Sequence, residues 1–246
     1  MVSYFTYRGH KSTEYGLIIS SSATVAGAEE VLETVTIPGR SGVLTMDNQR
    51  REEIEVGYNV WGKAGRNEEK AAYMRRLKGW LLVGQGDYYQ LSDTYDPDYF
   101  WMARYAGPVD LEEDFRGFVT LELRFMAYPF KYSLIGSRPV ALGGSSFAPG
   151  TAYTLTNPEA YNSEPYFKLT GNGDMTLTVN GQAWTIENVQ GYVEMDSRLM
   201  DTFVGNTSWN NKKTGDGYPV FVPGENTITV SGNVSAVEII PRWCAL

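Results

Sequence analysis

Asn180-Gly181 sits between two alternating runs, Met175-Thr176-Leu177-Thr178-Val179 and Gln182-Ala183-Trp184-Thr185-Ile186. A two-residue hairpin loop of type I′ needs positive φ at both central positions, and Asn followed by Gly adopts that at the least cost. The loop then leaves one register. Val179 faces Gln182, Leu177 faces Trp184 and Met175 faces Ile186, while Thr176 meets Thr185 on the other side. A slip of one residue would split Leu177 and Trp184 onto opposite faces, so the turn and the pattern specify the same pairing. This stretch is a long antiparallel hairpin, and the chain must supply a core for one face of it.

The remaining pattern is also mainly β. Strands are expected at 192–195, 227–231 and 236–240, separated by turns at Pro223-Gly224-Glu225-Asn226 and Gly232-Asn233. Short strands with turns at this spacing argue for a β-sandwich. In the first half, strands are expected at 15–20, 32–37, 54–61, 88–91, 99–105 and 117–127. The last alternates cleanly, with Val119, Leu121, Leu123 and Phe125 on one face and Thr120, Glu122 and Arg124 on the other. Seventeen Tyr, 10 Phe and 6 Trp favour strands as well.

One helix, spanning about 68–83, interrupts the strands. Asn67 is its expected N-cap, Glu68 and Glu69 complement its positive end, and Gly84 closes it. Tyr73, Met74, Leu77, Trp80 and Leu81 share an arc while Arg75 and Lys78 point away, so the stripe covers one face of a sheet. Between 129 and 150, Pro129, Pro139, Pro149 and Gly143-Gly144-Ser145-Ser146 mark a junction. The expected domains are therefore 1–131 and 132–246.

Thr36-Ile37-Pro38-Gly39-Arg40-Ser41-Gly42 has the glycines of a phosphate-binding loop. Such a loop needs a helix N-terminus behind it, where free N–H groups and the helix dipole face the anion. Here Val43-Leu44-Thr45-Met46 follows and reads as strand. The glycines serve a tight turn instead.

Little in the chain points to chemistry. Net charge is −8, from 21 Lys+Arg against 29 Asp+Glu, and no basic stripe of a nucleic-acid binder is present. Arg50-Arg51 and Arg75-Arg76-Leu77-Lys78 are each diluted by nearby acids. His10 is the sole histidine, and no nucleophile-elbow sequence accompanies it, so it reads as a surface residue. Cys244 is the sole cysteine, which excludes an internal disulfide and a multi-thiolate metal site; it reads as a packing residue. Asp93, Asp96 and Asp98 could offer oxygens to Ca²⁺, but their spacing is not that of a twelve-residue calcium loop, and a solvated turn is the default. Glu112-Glu113-Asp114 is adjacent rather than convergent, unlike a glycosidase pair.

Sugar binding is the other reading of the residues. Trp184, Trp209, Tyr218 and Trp243 could stack on pyranose rings, with Asn210 and Asn211 holding hydroxyls. The hairpin register buries Trp184 against Leu177, which leaves Trp209 as the exposed aromatic. No catalytic, cofactor-binding or metal-binding residue is assigned, and no cofactor is expected. The N-terminal residues lack the apolar core of a signal peptide, and no apolar run is long enough to cross a bilayer, so no membrane association is expected.

Taken in order, the turns and strands resemble the distal tail proteins of siphovirus-type bacteriophages and prophages of Gram-positive bacteria. The likeness in the first half runs through Phe5-Thr6-Tyr7-Arg8-Gly9, Tyr15-Gly16-Leu17 and Pro38-Gly39-Arg40-Ser41-Gly42. In the second half it runs through Asn157-Pro158, Glu164-Pro165-Tyr166-Phe167-Lys168-Leu169-Thr170-Gly171, the Asn180-Gly181 hairpin, Tyr218-Pro219, Pro223-Gly224-Glu225-Asn226 and Ile240-Pro241-Arg242. No single motif is diagnostic; their order over nearly the whole chain carries the resemblance.

The resemblance implies an N-terminal tail-tube-like β-sandwich with one helix that forms a six-fold ring, and a C-terminal galectin-like β-sandwich that projects outward. It implies a hub, as one ring or two stacked rings, joining the tail-tube protein to a tail-tip or tail-associated protein, with a receptor-binding protein as a further partner. It places the chain at the virion tail tip after synthesis in the host cytoplasm, with DNA as passing cargo and no catalysis. Some relatives carry inserted carbohydrate-binding modules, and this chain is too short to hold one. An acidic lumen would let DNA slide without adhesion. The Pro38–Gly42 turn is then expected at or near a subunit contact, with Arg40 its most exposed side chain. The alternative is a carbohydrate-binding module recognising host cell-wall polysaccharide; a hydrolase or its accessory domain is a third, weaker reading.

Overall fold

The hairpin forms as its turn chemistry dictates. In the computed structural model, which describes residues 2–21, 23–63, 69–84, 86–108, 112–113 and 118–246, Asn180 has φ 50° and Gly181 φ 85°. Val179 pairs with Gln182, Leu177 with Trp184 and Met175 with Ile186. Thr176 and Thr185 join through their hydroxyls at 2.8 Å. The Asn180 side chain then ties this turn to another. Its amide donates to Asn226 Oδ1 at 2.8 Å, and its carbonyl accepts from the Thr227 N–H at 2.9 Å. Asn226 is fully buried and also bonds both ends of its own turn, donating to the carbonyls of Val222 and Gly224.

The fold is mainly β, with one α-helix among the described residues, and the chain divides into two compact units. One comprises the residues through Lys131 together with Leu246, the other Tyr132–Ala245. In the second unit, Tyr166–Val179 lies between Gln182–Asp196 and Gly224–Ile240. Leu177, Trp184, Ile186, Phe167, Phe221, Val230 and Ile239 fill its core. The Gly232-Asn233 turn expected between two short strands is a bulge within one strand, Gly224–Ile240. Gly232 has φ 100°, and a Cβ there would lie 2.3 Å from the Asp174 carbonyl oxygen. The glycine permits close approach of a neighbouring strand and a local kink, without reversing the chain.

The first unit is built on a sheet ordered His10–Lys11, Phe5–Tyr7, Tyr89–Asp93, Tyr99–Tyr105, Phe118–Ser133, Ile54–Lys63 and Leu17–Ile19. Val119, Leu121, Leu123 and Phe125 are buried on one face while Thr120, Glu122 and Arg124 are exposed, as the alternation requires. The helix spans Lys70–Leu81. Tyr73, Leu77, Trp80 and Leu81 are buried and Met74 packs against the same core; Arg75 and Lys78 are exposed. Trp80 anchors it by stacking on Tyr15 at 4.1 Å and donating its indole N–H to the Tyr7 carbonyl at 3.2 Å. Asn67 and Glu68, the expected cap and first turn, lie outside the described residues, and Glu69 stands at the N-cap position. Gly84, expected to close the helix, has φ 70° two residues beyond the cap position at Leu82.

The boundary between the two units, after Lys131, falls within the junction expected at 129–150, although that stretch also holds regular structure. The strand continues through Pro129 to Ser133, and Val140–Ala141 pairs with Gly224–Ile240. The ladder to Ile54–Lys63 ends at Ala127, two residues before Pro129.

Candidate functional site

Glu30–Thr36 and Val43–Arg51 pair only with each other, as a separate two-stranded sheet in the first unit. The turn between them is of type II. Pro38 and Gly39 occupy its centre, Gly39 has φ 82°, and Arg40 N–H donates to the Ile37 carbonyl at 3.2 Å. No phosphate cradle forms, because Val43–Arg51 is strand. Arg40 is exposed at the tip. At the base, Arg51 Nη2 meets Glu30 Oε1 at 2.5 Å and Arg51 Nη1 donates to the Ala28 carbonyl at 2.7 Å.

This arm has no core beneath it. Leu32, Val35, Ile37, Val43, Leu44 and Met46 are all exposed. The register places Val35 opposite Leu44 and Glu33 opposite Met46, so Val35, Leu44 and Met46 share one face, joined by Ile37 two residues beyond Val35. The other face carries Leu32, Thr34, Thr36, Val43 and Thr45. A two-stranded hairpin is marginal alone in water, and this one presents apolar side chains with nothing over them.

A second exposed apolar site lies on the outer surface of the main sheet. Trp61 is 61% exposed and pairs with Ile18, itself 42% exposed. Thr120 faces Trp61 from the other side, which completes an uncharged row of three across neighbouring strands. Trp61 was not singled out from sequence, although a signal existed. Ile54, Val56, Tyr58 and Val60 alternate inward, and that puts Trp61 outside.

Of the described residues considered for chemistry, only Asp93 and Asp96 are in contact, through a backbone hydrogen bond of their turn. His10 is exposed and meets Glu14 at 3.1 Å. Cys244 is buried, its thiol is pushed up to about 11 mainly by that burial, and it donates to the Asn162 carbonyl at 3.3 Å. Asp93 is not in a solvated turn but buried. Its Oδ1 accepts the N–H groups of Tyr95 and Asp96 at 2.8 and 3.1 Å, and its Oδ2 accepts the Tyr58 hydroxyl at 2.7 Å. Burial, then the Asp93 charge and hydrogen bond, hold the Tyr58 phenol well above its usual range. Asp96 is paired with Lys131 at 2.5 Å. Among the described residues, no three His, Cys, Asp or Glu side chains converge as metal ligands. Glu112 and Glu113 lie in a short strand paired with Val119 and Thr120; Asp114 is outside the described residues.

The aromatics considered for sugar are largely occupied. Trp184 and Trp243 are buried, and the Trp184 indole N–H donates to the Asp216 and Gly217 carbonyls at 3.0 and 3.1 Å. Trp209, expected to be the exposed ring, is half-buried against the second core, with the Lys212 ammonium 3.8 Å from its centroid. Asn210 is spent on structure, its Oδ1 accepting from the Thr202 N–H and the Tyr218 hydroxyl.

Two mainly β units, the first carrying one helix and an uncovered hairpin arm, make a fold similar to that of a distal tail protein from a phage infecting Gram-positive bacteria. The particular likeness is to the Dit protein, gp 19.1, of phage SPP1, described as a paradigm of the hub adsorption apparatus in Gram-positive-infecting phages. The superposition covers 100% of both chains with a TM-score of 0.70 and 13% sequence identity. No protein-family model and no curated relative matches the chain. No described helix is long and apolar enough to cross a membrane.

Proposed function

We propose that this chain is a structural hub of a phage tail: six copies close into a ring that joins the tail tube to the tail-tip and receptor-binding apparatus. The observation that carries this reading is the full-length likeness in fold to the SPP1 hub protein. Residues 1–131 would form the ring and 132–246 an outward, galectin-like sandwich. A ring needs extensive subunit contacts, and the uncovered arm and the Ile18–Trp61 row are apolar surfaces of the kind such contacts bury. The partners in this reading are the tail-tube protein, a tail-tip or tail-associated protein and a receptor-binding protein, at the tip of the virion after synthesis in the host cytoplasm. DNA passes through without being held, in keeping with the net charge of −8. The chain performs no catalysis in this role.

Light scattering of the purified 27.5 kDa chain tests the proposal. A mass near six copies, with annular particles by electron microscopy, is the expected result, and twice that mass would indicate two stacked rings. A protein that stays monomeric at every concentration up to tens of micromolar would overturn it.

A further inference from the structure

Asn-Gly occurs twice in the chain, as Asn172-Gly173 within the strand Tyr166–Val179 and as Asn180-Gly181 directly after it. Asparagine is thermolabile, and most so before glycine, which has no Cβ to keep its own backbone nitrogen away from the preceding side chain. Both asparagines are exposed, so access of water does not separate them. A Cβ built on either glycine would meet nothing within 4 Å, so crowding does not separate them either.

Their side chains are held differently. The Asn180 carboxamide is fixed at both ends, with Nδ2 donating to Asn226 Oδ1 at 2.8 Å and Oδ1 accepting the Thr227 N–H at 2.9 Å. Asn226 is buried and tied to its own turn through Val222 and Gly224, so it cannot follow a rotating Asn180. The Asn172 carboxamide is held at one end only among the described residues. Its Oδ1 accepts the Gly191 N–H at 3.1 Å, and Nδ2 is left to solvent. Deamidation requires Cγ to turn its face to the next backbone nitrogen. Asn172 can pivot about one bond, whereas Asn180 must break two. The bond that Asn172 keeps also assists: attack on Cγ turns Oδ1 into an oxyanion, and the Gly191 N–H already points at it.

We propose that Asn172 is a self-modification site of the folded chain and that Asn180 is spared. The Gly173 nitrogen bonds to Asn172 Cγ, and the Cγ–Nδ2 bond breaks. Nδ2 leaves as ammonia, carrying the proton that the glycine N–H gave up, and a five-membered succinimide remains. Water then opens the ring, at Cγ to give aspartate or at the main-chain carbonyl to give isoaspartate. The water oxygen joins the new carboxylate, and one water proton returns to the glycine nitrogen. No oxidant, metal or second protein takes part. The fold has room for both products. A carboxylate at position 172 accepts the Gly191 N–H more strongly than an amide does. Isoaspartate adds one main-chain carbon beside the place where the ladder to Gln182–Asp196 already shifts register, between Gly173 and Met175.

The test incubates the full-length chain at pH 8.5, folded and, in parallel, unfolded in urea, and follows both Asn-Gly peptides by mass spectrometry after digestion. Unfolded, the two sites are expected to convert at similar rates. Folded, Asn180 should slow by about thirtyfold, the factor that two net hydrogen bonds supply, and Asn172 by no more than about fivefold, the factor for one. Labelling by an isoaspartyl methyltransferase gives a second readout and should be confined to the Asn172 peptide of the folded chain. Asn172→Gln, which would have to close a six-membered ring, should abolish that label while leaving the circular dichroism spectrum unchanged.

A folded chain in which Asn180 converts as fast as Asn172 would overturn the proposal. So would an Asn172 that stays intact when folded but converts when unfolded, or labelling that survives Asn172→Gln. The hub reading stands apart from all of these results.

Discussion

Arg242 grips Asp196 with two parallel bonds, Nη1 to Oδ1 and Nη2 to Oδ2, each at 2.7 Å. Asp196 Oδ1 also accepts the N–H groups of Arg198 and Leu199 at 3.0 and 3.2 Å. The arginine backbone is itself held at φ 57°, with its N–H donating to the Gly136 carbonyl at 2.6 Å. Three separate segments, around 136, 196 and 242, thus meet on one mostly buried ion pair in the second unit.

Burial alone would raise the Asp196 carboxyl. The Arg242 fork and the two backbone N–H groups outweigh it and hold the acid below its usual range. The pair therefore adds stability above the ordinary Asp value, about 3.9, and that contribution is lost as pH falls through the lower folded value. Arg242→Met strands a buried carboxylate and is expected to destabilise the second unit by about 3 kcal/mol at pH 7. The gap between parent and variant should narrow steadily below about pH 4, where the protonated carboxyl no longer needs the guanidinium. Urea unfolding at pH 7, 5 and 3 checks both the size and the sign; a gap independent of pH would contradict the assignment.

Two glycines with positive φ should respond differently to the same substitution. Gly181 has φ 85° and open space where a Cβ would stand, so Gly181→Ala pays only for the left-handed backbone, about 1 kcal/mol. Gly232 has φ 100°, and its Cβ would lie 2.3 Å from the Asp174 carbonyl oxygen. Gly232→Ala must move a neighbouring strand as well, and its cost is expected to be at least about twice as large. Thermal unfolding of the two variants side by side separates them.

The same two positions mark how far the sequence could be read. Asn180-Gly181 determined both turn and register because the turn type demands those residues, and all four predicted side-chain pairs are present. Gly232-Asn233 offers the same kind of signal, yet it makes a bulge, because its outcome depends on Asp174 of a strand some sixty residues earlier. Pro129 was a partial guide: the unit boundary follows Lys131, yet the proline itself lies inside the strand Phe118–Ser133. The arm was half legible. Its turn and strands follow from Pro38-Gly39 and the flanking residues, but alternation is the same whether a face is covered or bare, so the exposure of Leu44 could not be read. Trp61 was within reach of the alternation of Ile54 to Val60. The burial of Asp93 was not, since it depends on Tyr58 from another strand.

Cys244 should be silent in the native state. Only the thiolate reacts with disulfide reagents, and burial pushes this thiol up to about 11 while closing it from solvent. At pH 8 the native chain is expected to show no fast titratable thiol, and one full equivalent once unfolded in guanidinium chloride. A rapid equivalent under native conditions would place Cys244 at the surface.

The arm should report assembly through its amide hydrogens. Among its described side chains none is buried, so residues 30–36 and 43–51 can open locally at small cost in a lone chain. The central strand Tyr166–Val179 is bonded on both edges, and Phe167, Leu169, Met175, Leu177 and Val179 are buried along it. In the lone chain, diluted below assembly, arm amides are expected to exchange within seconds while those of residues 175–179 persist for hours. In assembled parent rings the arm should slow by a factor of ten or more and residues 175–179 should hardly change, because a factor of ten corresponds to only about 1.4 kcal/mol of added local stability, less than burying one leucine supplies. An arm that exchanges equally fast in the ring would mean that Val35 and Leu44 stay bare after assembly.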